Sequence, residues 1–163
     1  MTTAPPPVAI EANSLGLDAM RRSAFAEAVG HFREAVAADP HAIGLWGNLA
    51  HACREAGDVE GEGQALESAL DLDRRHIPTL IRLAQLHERT GAARQAMVQW
   101  EALLQLGQGI DNPSPELLAI LDHARAYVDQ QKAVIERGLA RTLRQTITGL
   151  EPTARRRAAA FVD

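Results

Sequence analysis

Residues 45–73, "LWGNLAHACREAGDVEGEGQALESALDLD", pose a choice between an active site and a packing surface. His51, Cys53 and Glu55 stand at alternate positions, and they are the residue types of a base, a nucleophile and an orienting carboxylate. Residues two apart on a helix do not face one another. His51 and Cys53 therefore cannot make the contact that nucleophilic catalysis requires. The stretch is rich in Ala and Leu, which lose little on entering a helix. Its apolar residues recur every three or four positions, with "AGD" as a break between two such runs.

Working outward from this stretch, the same pattern returns on both sides. Leu49-Ala50 has counterparts 34 residues away in Leu15-Gly16 and Leu83-Ala84. Continuing in register, Ala19, Cys53 and His87 coincide, then Ser23, Gly57 and Gly91, then Phe25, Val59 and Ala93. Farther on, Ala28, Glu62 and Ala96 coincide, then Phe32, Leu66 and Trp100, then Ala35, Ala69 and Leu103. A fixed period of this length is the mark of a repeat architecture in which each unit is one supersecondary element. Two short helices per period are predicted, turning at "SAF", "AGD" and "TGA". Pro40 closes the first unit, and "DLDRRHIP" closes the second. In this phase Cys53 is a small buried hydrophobe and Trp46 is a core residue.

Composition agrees. The chain has 163 residues, 46% hydrophobic and 23% charged, with only 4% aromatic, so its core is built mainly from Ala and Leu. No run of about 18 apolar residues spans a bilayer, and "MTTAPPPVAIEANSLG" does not read as a secretory signal. Residues 1–9 are expected to be a disordered leader in which "PPP" delays helix until about Ile10. A lone cysteine fits a reducing compartment such as the cytoplasm. The net charge of -4 gives no reason to expect nucleic acid. No two of the six histidines, His31, His41, His51, His76, His87 and His123, lie three or four apart, so a helix-borne metal pair is absent. No glycine-rich phosphate loop, Cys-x-x-Cys or Gly-x-Ser-x-Gly occurs either. The carboxylates of "EAGDVEGEGQALESALDLD" are read as a solvated face. No catalytic residue, metal site or cofactor is expected.

These matching positions resemble the tetratricopeptide repeat (TPR) family. The resemblance implies an all-α fold, a TPR-type α-solenoid of three helix-turn-helix repeats over residues 10–108, with units at about 9–42, 43–76 and 77–110. Glu62 departs from it, standing where that family wants a small residue at the helix crossing. With Gly61 and Gly63 beside it, the second helix of the second unit is expected to be weak.

Stacked helix pairs leave a concave surface lined by the first helix of each unit, and the resemblance implies that this groove takes a peptide or protein partner. Placed on this sequence, the groove residues are Asn13, Leu17, Met20 and Arg21 in the first unit. The second unit offers Gly47, Asn48, His51, Arg54 and Glu55, and the third Ile81, Arg82, Gln85, Glu88 and Arg89. Arg54, Arg82 and Arg89 suit a guest carboxylate. The alternative is that they pair with Glu55 and Glu88 on the same surface. Some members of the family grip the C-terminal carboxylate of heat-shock chaperones with two lysines, two asparagines and an arginine. Asn48 and Arg82 match that set. Asn13, Leu17 and Pro78 stand where lysine, asparagine and lysine are needed, which argues against such a clamp.

Beyond the third unit, "GQGIDNPSPE" is a connector, and Ser114-Pro115-Glu116 is a helix start. Leu117, Leu121, Ala124, Val128, Ile135, Leu139, Leu143 and Ile147 continue one apolar stripe. The stripe predicts one long capping helix over 114–148, or two helices with a break near Gly138. Its front covers the last repeat, and its back extends beyond the stack, suited to a partner or to a homo-oligomer. Residues 150–163 read as the start of a further helix. The tail "LDHARAYVDQQKAVIERGLARTLRQTITGLEPTARRR", behind three repeats, resembles the amino-terminal region of bacterial proteins of the aspartyl/asparaginyl beta-hydroxylase type. That resemblance implies a non-catalytic arm ahead of an iron- and 2-oxoglutarate-dependent dioxygenase domain. None of that domain's metal ligands has a counterpart here. A free-standing adaptor and a self-association module are the alternatives.

Overall fold

The structure, a computed structural model, describes residues 5–149. Residues 1–4 of the expected leader and the helix expected over 150–163 lie outside the described residues. The described chain forms three antiparallel helix pairs and a long final helix. The pairs are α1 (Pro7–Arg21) with α2 (Phe25–Ala38), α3 (Ile43–Ala56) with α4 (Val59–Leu72), and α5 (Ile77–Arg89) with α6 (Ala93–Gly107). α7 (Pro115–Gly149) follows. Each helix packs on its neighbours in sequence, the arrangement of an all-α repeat solenoid. Among the described residues no helix is long and apolar enough to cross a membrane.

The turns show why the period is kept. Ser23, Gly57 and Gly91 all adopt a left-handed backbone, with φ of 58°, 77° and 74°. In each turn the following amide reaches back to close the helix: Ala24 N–H to Ala19 O, Asp58 N–H to Cys53 O, and Ala92 N–H to His87 O, at 2.8 to 2.9 Å. This is the Schellman arrangement, which satisfies carbonyls that a helix end leaves open. It is repeated three times in one phase. The next helix then starts at once, with Asp58 Oδ1 accepting from Gly61 N–H at 2.8 Å in the second unit.

Small residues let the helices cross closely. Ala28, Ala35, Ala69, Ala84 and Ala96 are fully buried. Gly16 lies so near the Phe32 ring that an added Cβ would stand 2.6 Å from it. The larger core residues fall into two clusters. Phe32, Leu49, Cys53, Leu66 and Leu83 belong to one, and Trp100, Leu103, Leu121, Ala124 and Val128 to the other.

Three expectations are corrected, and one choice left open by the sequence is decided. α1 begins at Pro7, three residues before Ile10, because proline is tolerated in the first turn, where its missing N–H has no partner to lose. Trp46 is only half-buried: it leans on the first cluster, and its Nε1–H donates to Pro40 O at 2.9 Å. Trp100, 1% exposed, is the core tryptophan. α7 runs through Gly138 as one helix. Glu62 is not on a solvated face but is 3% exposed at the helix crossing, where its carboxylate forms an ion pair with Arg89 of the next unit.

α7 starts as its sequence predicts, with Ser114 Oγ accepting from Leu117 N–H at 3.2 Å. Leu121, Ala124 and Val128 bury its front half. Lys132 Nζ, 3.0 Å from Glu101, ties it to α6. Beyond Lys132 the helix leaves Val134, Ile135, Leu139 and Leu143 half or more exposed.

Candidate functional site

The first helices of the units lie side by side. Asn48 Nδ2 on α3 donates to Asn13 Oδ1 on α1 at 2.8 Å, and Arg82 Nη1 on α5 donates to Gly47 O on α3 at 3.1 Å. These two bonds join α1, α3 and α5 on one face. Leu17 stands one turn beyond Asn13 on the same side of α1 and is 40% exposed. Met20 is half-buried against the first cluster, and Arg21 is exposed in an ion pair with Asp18.

On α3, His51 Nδ1 stands 4.0 Å from Glu55 Oε1, one turn away, and both are exposed. Cys53 points the other way and is fully buried. Burial pushes its thiol up, and the Asp58 carboxylate pushes it further the same way, so it stays protonated and unreactive. Arg54 is exposed and, among the described residues, has neither a hydrogen bond nor an ion pair. The expected alternative, pairing of the arginines with Glu55 and Glu88, is not what forms. Arg89 pairs with the buried Glu62 instead.

Glu88 also departs from its expected place. It is half-buried and accepts from Trp100 Nε1–H of α6, while His123 Nε2 of α7 lies 3.0 Å from the same oxygen. The His123 ring meets Trp100 edge-on at 5.4 Å, and Tyr127 stands 6.4 Å beyond it. Glu88 therefore joins α5, α6 and α7 rather than waiting for a guest. Gln85, one turn earlier, is exposed. His123 and Tyr127 were not among the residues picked out of the sequence. The available signal was their spacing of one helical turn on α7.

Between α3, α4 and α5 a niche of about 180 Å³ opens, lined by Ala50, His51, Arg54, Glu62, Leu66 and Arg82. Among the described residues no group of three His, Cys, Asp or Glu side chains is placed to hold a metal ion. The face offers two guanidinium groups and the exposed apolar side chain of Leu17. That is equipment for recognition.

No family model matches this sequence, and no curated protein matches it. Solved structures do resemble the fold. The TPR2B domain of yeast Sti1 in its complex with an Hsp70 peptide is 19% identical over 77% of this chain and 99% of that one, with a TM-score of 0.65. The TPR domain of Sgt2 from Aspergillus fumigatus is 19% identical, covering 80% and 85% of the two chains, with a TM-score of 0.63. PcrH, solved with the chaperone binding region of PopD, is 16% identical over 76% and 90%, with a TM-score of 0.61. The fold is thus that of tetratricopeptide repeat domains.

Proposed function

We propose that this chain is a protein-interaction module whose face formed by α1, α3 and α5 receives a segment of a partner protein, and that the chain performs no catalysis itself. The observation that carries this reading is the row of exposed side chains Leu17, Arg54, Arg82 and Gln85 on adjacent helices, held in place by the Asn13–Asn48 and Arg82–Gly47 bonds. Two of the structural neighbours, Sti1 and PcrH, were solved with a peptide or a partner region bound, which supports the same use here. The single thiol supports the proposal of a cytoplasmic setting. The test is amide chemical-shift mapping with peptides selected on the chain from a random display library. Shifts should cluster on α1, α3 and α5. Shifts confined to α2, α4 and α6 would sink the reading.

A second reading has its own observation. The stripe that buries Leu121, Ala124 and Val128 continues past α6 as Ile135, Leu139 and Leu143, with Leu139 59% exposed. Pairing of two copies along this stripe would cover it. Sedimentation should then show a mass that rises with concentration in the native chain and stays monomeric in L139E/L143E. A monomer at every concentration removes the reading. The finer placement, an arm ahead of an aspartyl/asparaginyl beta-hydroxylase-type oxygenase domain, is supported only by the resemblance of the tail. Its test is the mass of the native gene product: a product ending at Asp163 removes it.

A further inference from the structure

We infer that the partner segment presents an aspartate or glutamate side chain to the niche between Arg54 and Arg82, with an apolar residue about four to five positions away resting on Leu17. This rests on the groove reading above and names the chemistry of its ligand. Two arginines, Arg54 and Arg82, line the niche, and a third, Arg89, approaches its wall through Glu62. Arg89 is bound to the buried Glu62, and Arg82 gives one N–H to Gly47 O. Arg54 gives none. Taken with the single carboxylate of Glu62 in the niche wall, this leaves two positive charges facing the groove. A guanidinium carries five N–H donors and a carboxylate accepts two of them in parallel, so a guest carboxylate fits what Arg54 and Arg82 leave open.

The Glu62–Arg89 pair also shapes the site. With its own charge satisfied by Arg89, Glu62 supports the wall of the niche without cancelling the two free arginines. A dianion would press its second charge against that carboxylate, which favours a single carboxylate over a phosphate. The face continues on both sides of the niche, toward Leu17 on α1 and toward Gln85 on α5. An internal side chain uses both sides, whereas a chain end uses one. Side-chain contact between α1 and α3 sets their axes about 10 Å apart. The niche lies on the α5 side of α3, about one and a half such spacings from α1, or roughly four to five residues of extended chain at about 3.3 Å each, which sets the spacing between the acidic and the apolar residue.

The experiment selects 12-residue peptides from a random display library on the full chain, then measures synthetic, C-terminally amidated copies by fluorescence polarisation. Enriched sequences should carry Asp or Glu with an apolar residue about four to five positions away. Changing that Asp or Glu to Asn or Gln should weaken binding at least tenfold, as should R54E/R82E in the protein, while R94E on α6 leaves it unchanged. R54Q alone gives a milder variant whose helix content and Tm confirm that the fold is kept. Peptides that map to α1, α3 and α5 but show no acidic preference and ignore R54E/R82E overturn the inference and leave the groove reading standing. Failure of any peptide to map there overturns both. Loss of binding on amidation assigns the niche to a chain terminus, and stronger binding of a phosphoserine peptide assigns it to phosphate. Either result overturns the side-chain carboxylate.

Discussion

Ser23 holds a conformation that costs an L-residue about 1 to 2 kcal/mol, and its equivalents 34 and 68 residues later are glycines. Ser23→Gly should therefore stabilise the chain by about 0.5 to 1 kcal/mol, part of the relief being lost to the greater freedom of glycine when unfolded. A urea midpoint that does not rise would show that the turn bears no strain. Glycines two positions apart on α4 should respond oppositely. A Cβ on Gly61 would meet Asp58 Oδ2 at 2.3 Å and Cys53 Sγ at 3.0 Å, whereas on Gly63 it would make an ordinary contact with Leu86 at 3.5 Å. Gly63→Ala should stabilise by about 1 kcal/mol, and Gly61→Ala should destabilise through loss of the Asp58 cap. The sequence read alone marks both as weak points, because a glycine shows no sign of what lies beside it. Trp46 and Trp100 differ for a similar reason. Trp100→Ala should cost about 3 to 5 kcal/mol and Trp46→Ala clearly less, since Trp46 has water on one side. His87 sits in the phase of Ala19 and Cys53, with Nδ1 buried and unpartnered. Burial lowers its proton affinity, outweighing the opposite pull of Glu67 and of the Gln95 backbone. The unfolded chain then binds the extra proton below pH about 6.5. Stability is whole above that value and declines as pH falls through it. His87→Leu should flatten the dependence of the urea midpoint between pH 6.5 and 5, and an unchanged slope would assign it to other groups.

Among the elements, α4 shows what periodicity reveals and what it hides. The crossing phase shared by Ala28 and Ala96, both fully buried, already marks Glu62 as a departure. Its partner Arg89 lies 27 residues on and in another unit, and no local pattern connects them. The pair is lopsided: the Glu62 side chain is buried and the Arg89 side chain is partly exposed. Removing Arg89 strands a carboxylate in the core. Removing Glu62 frees a guanidinium that water solvates. Arg89→Ala should therefore cost about 2 kcal/mol, while Glu62→Ala should be near neutral or stabilising, with an alanine restored where the other units have one. Equal losses from the two substitutions would mean that the pair contributes mainly as an ion pair. α7 is the converse case. Its cap and its stripe were legible because proline, serine and a periodic row of Leu, Ile and Val carry that information locally, whereas its continuity through Gly138 was not. Its bond to Glu88 was not legible, because His123 and Trp100 meet that carboxylate only once three helices are assembled.

At the scale of the whole chain, stability in a stack of repeats is approximately the sum of each unit and its interfaces, so the consequences of cutting α7 follow from where its contacts lie. Leu121, Ala124, Val128 and the Lys132–Glu101 pair all fall in its front half. A chain ending at Ala133 should keep the Tm of the full chain within a few degrees. A chain ending at Gly107 uncovers the cluster around Trp100 and Leu103 and strips His123 from Glu88, so its third pair should unfold early, with a broadened transition. The two cuts also separate the roles of the helix. If the shorter α7 supports groove binding at full affinity, the front half is a cap and the back half serves some other contact. If binding falls while the Tm holds, the overhanging half reaches back into recognition. The exposed Leu15 at the other end of the stack, in the phase of the buried Leu49 and Leu83, is the same physics seen from the first unit: among the described residues no helix precedes α1 to cover it. Phase therefore predicts which residues are able to pack, and position in the stack decides which of them do.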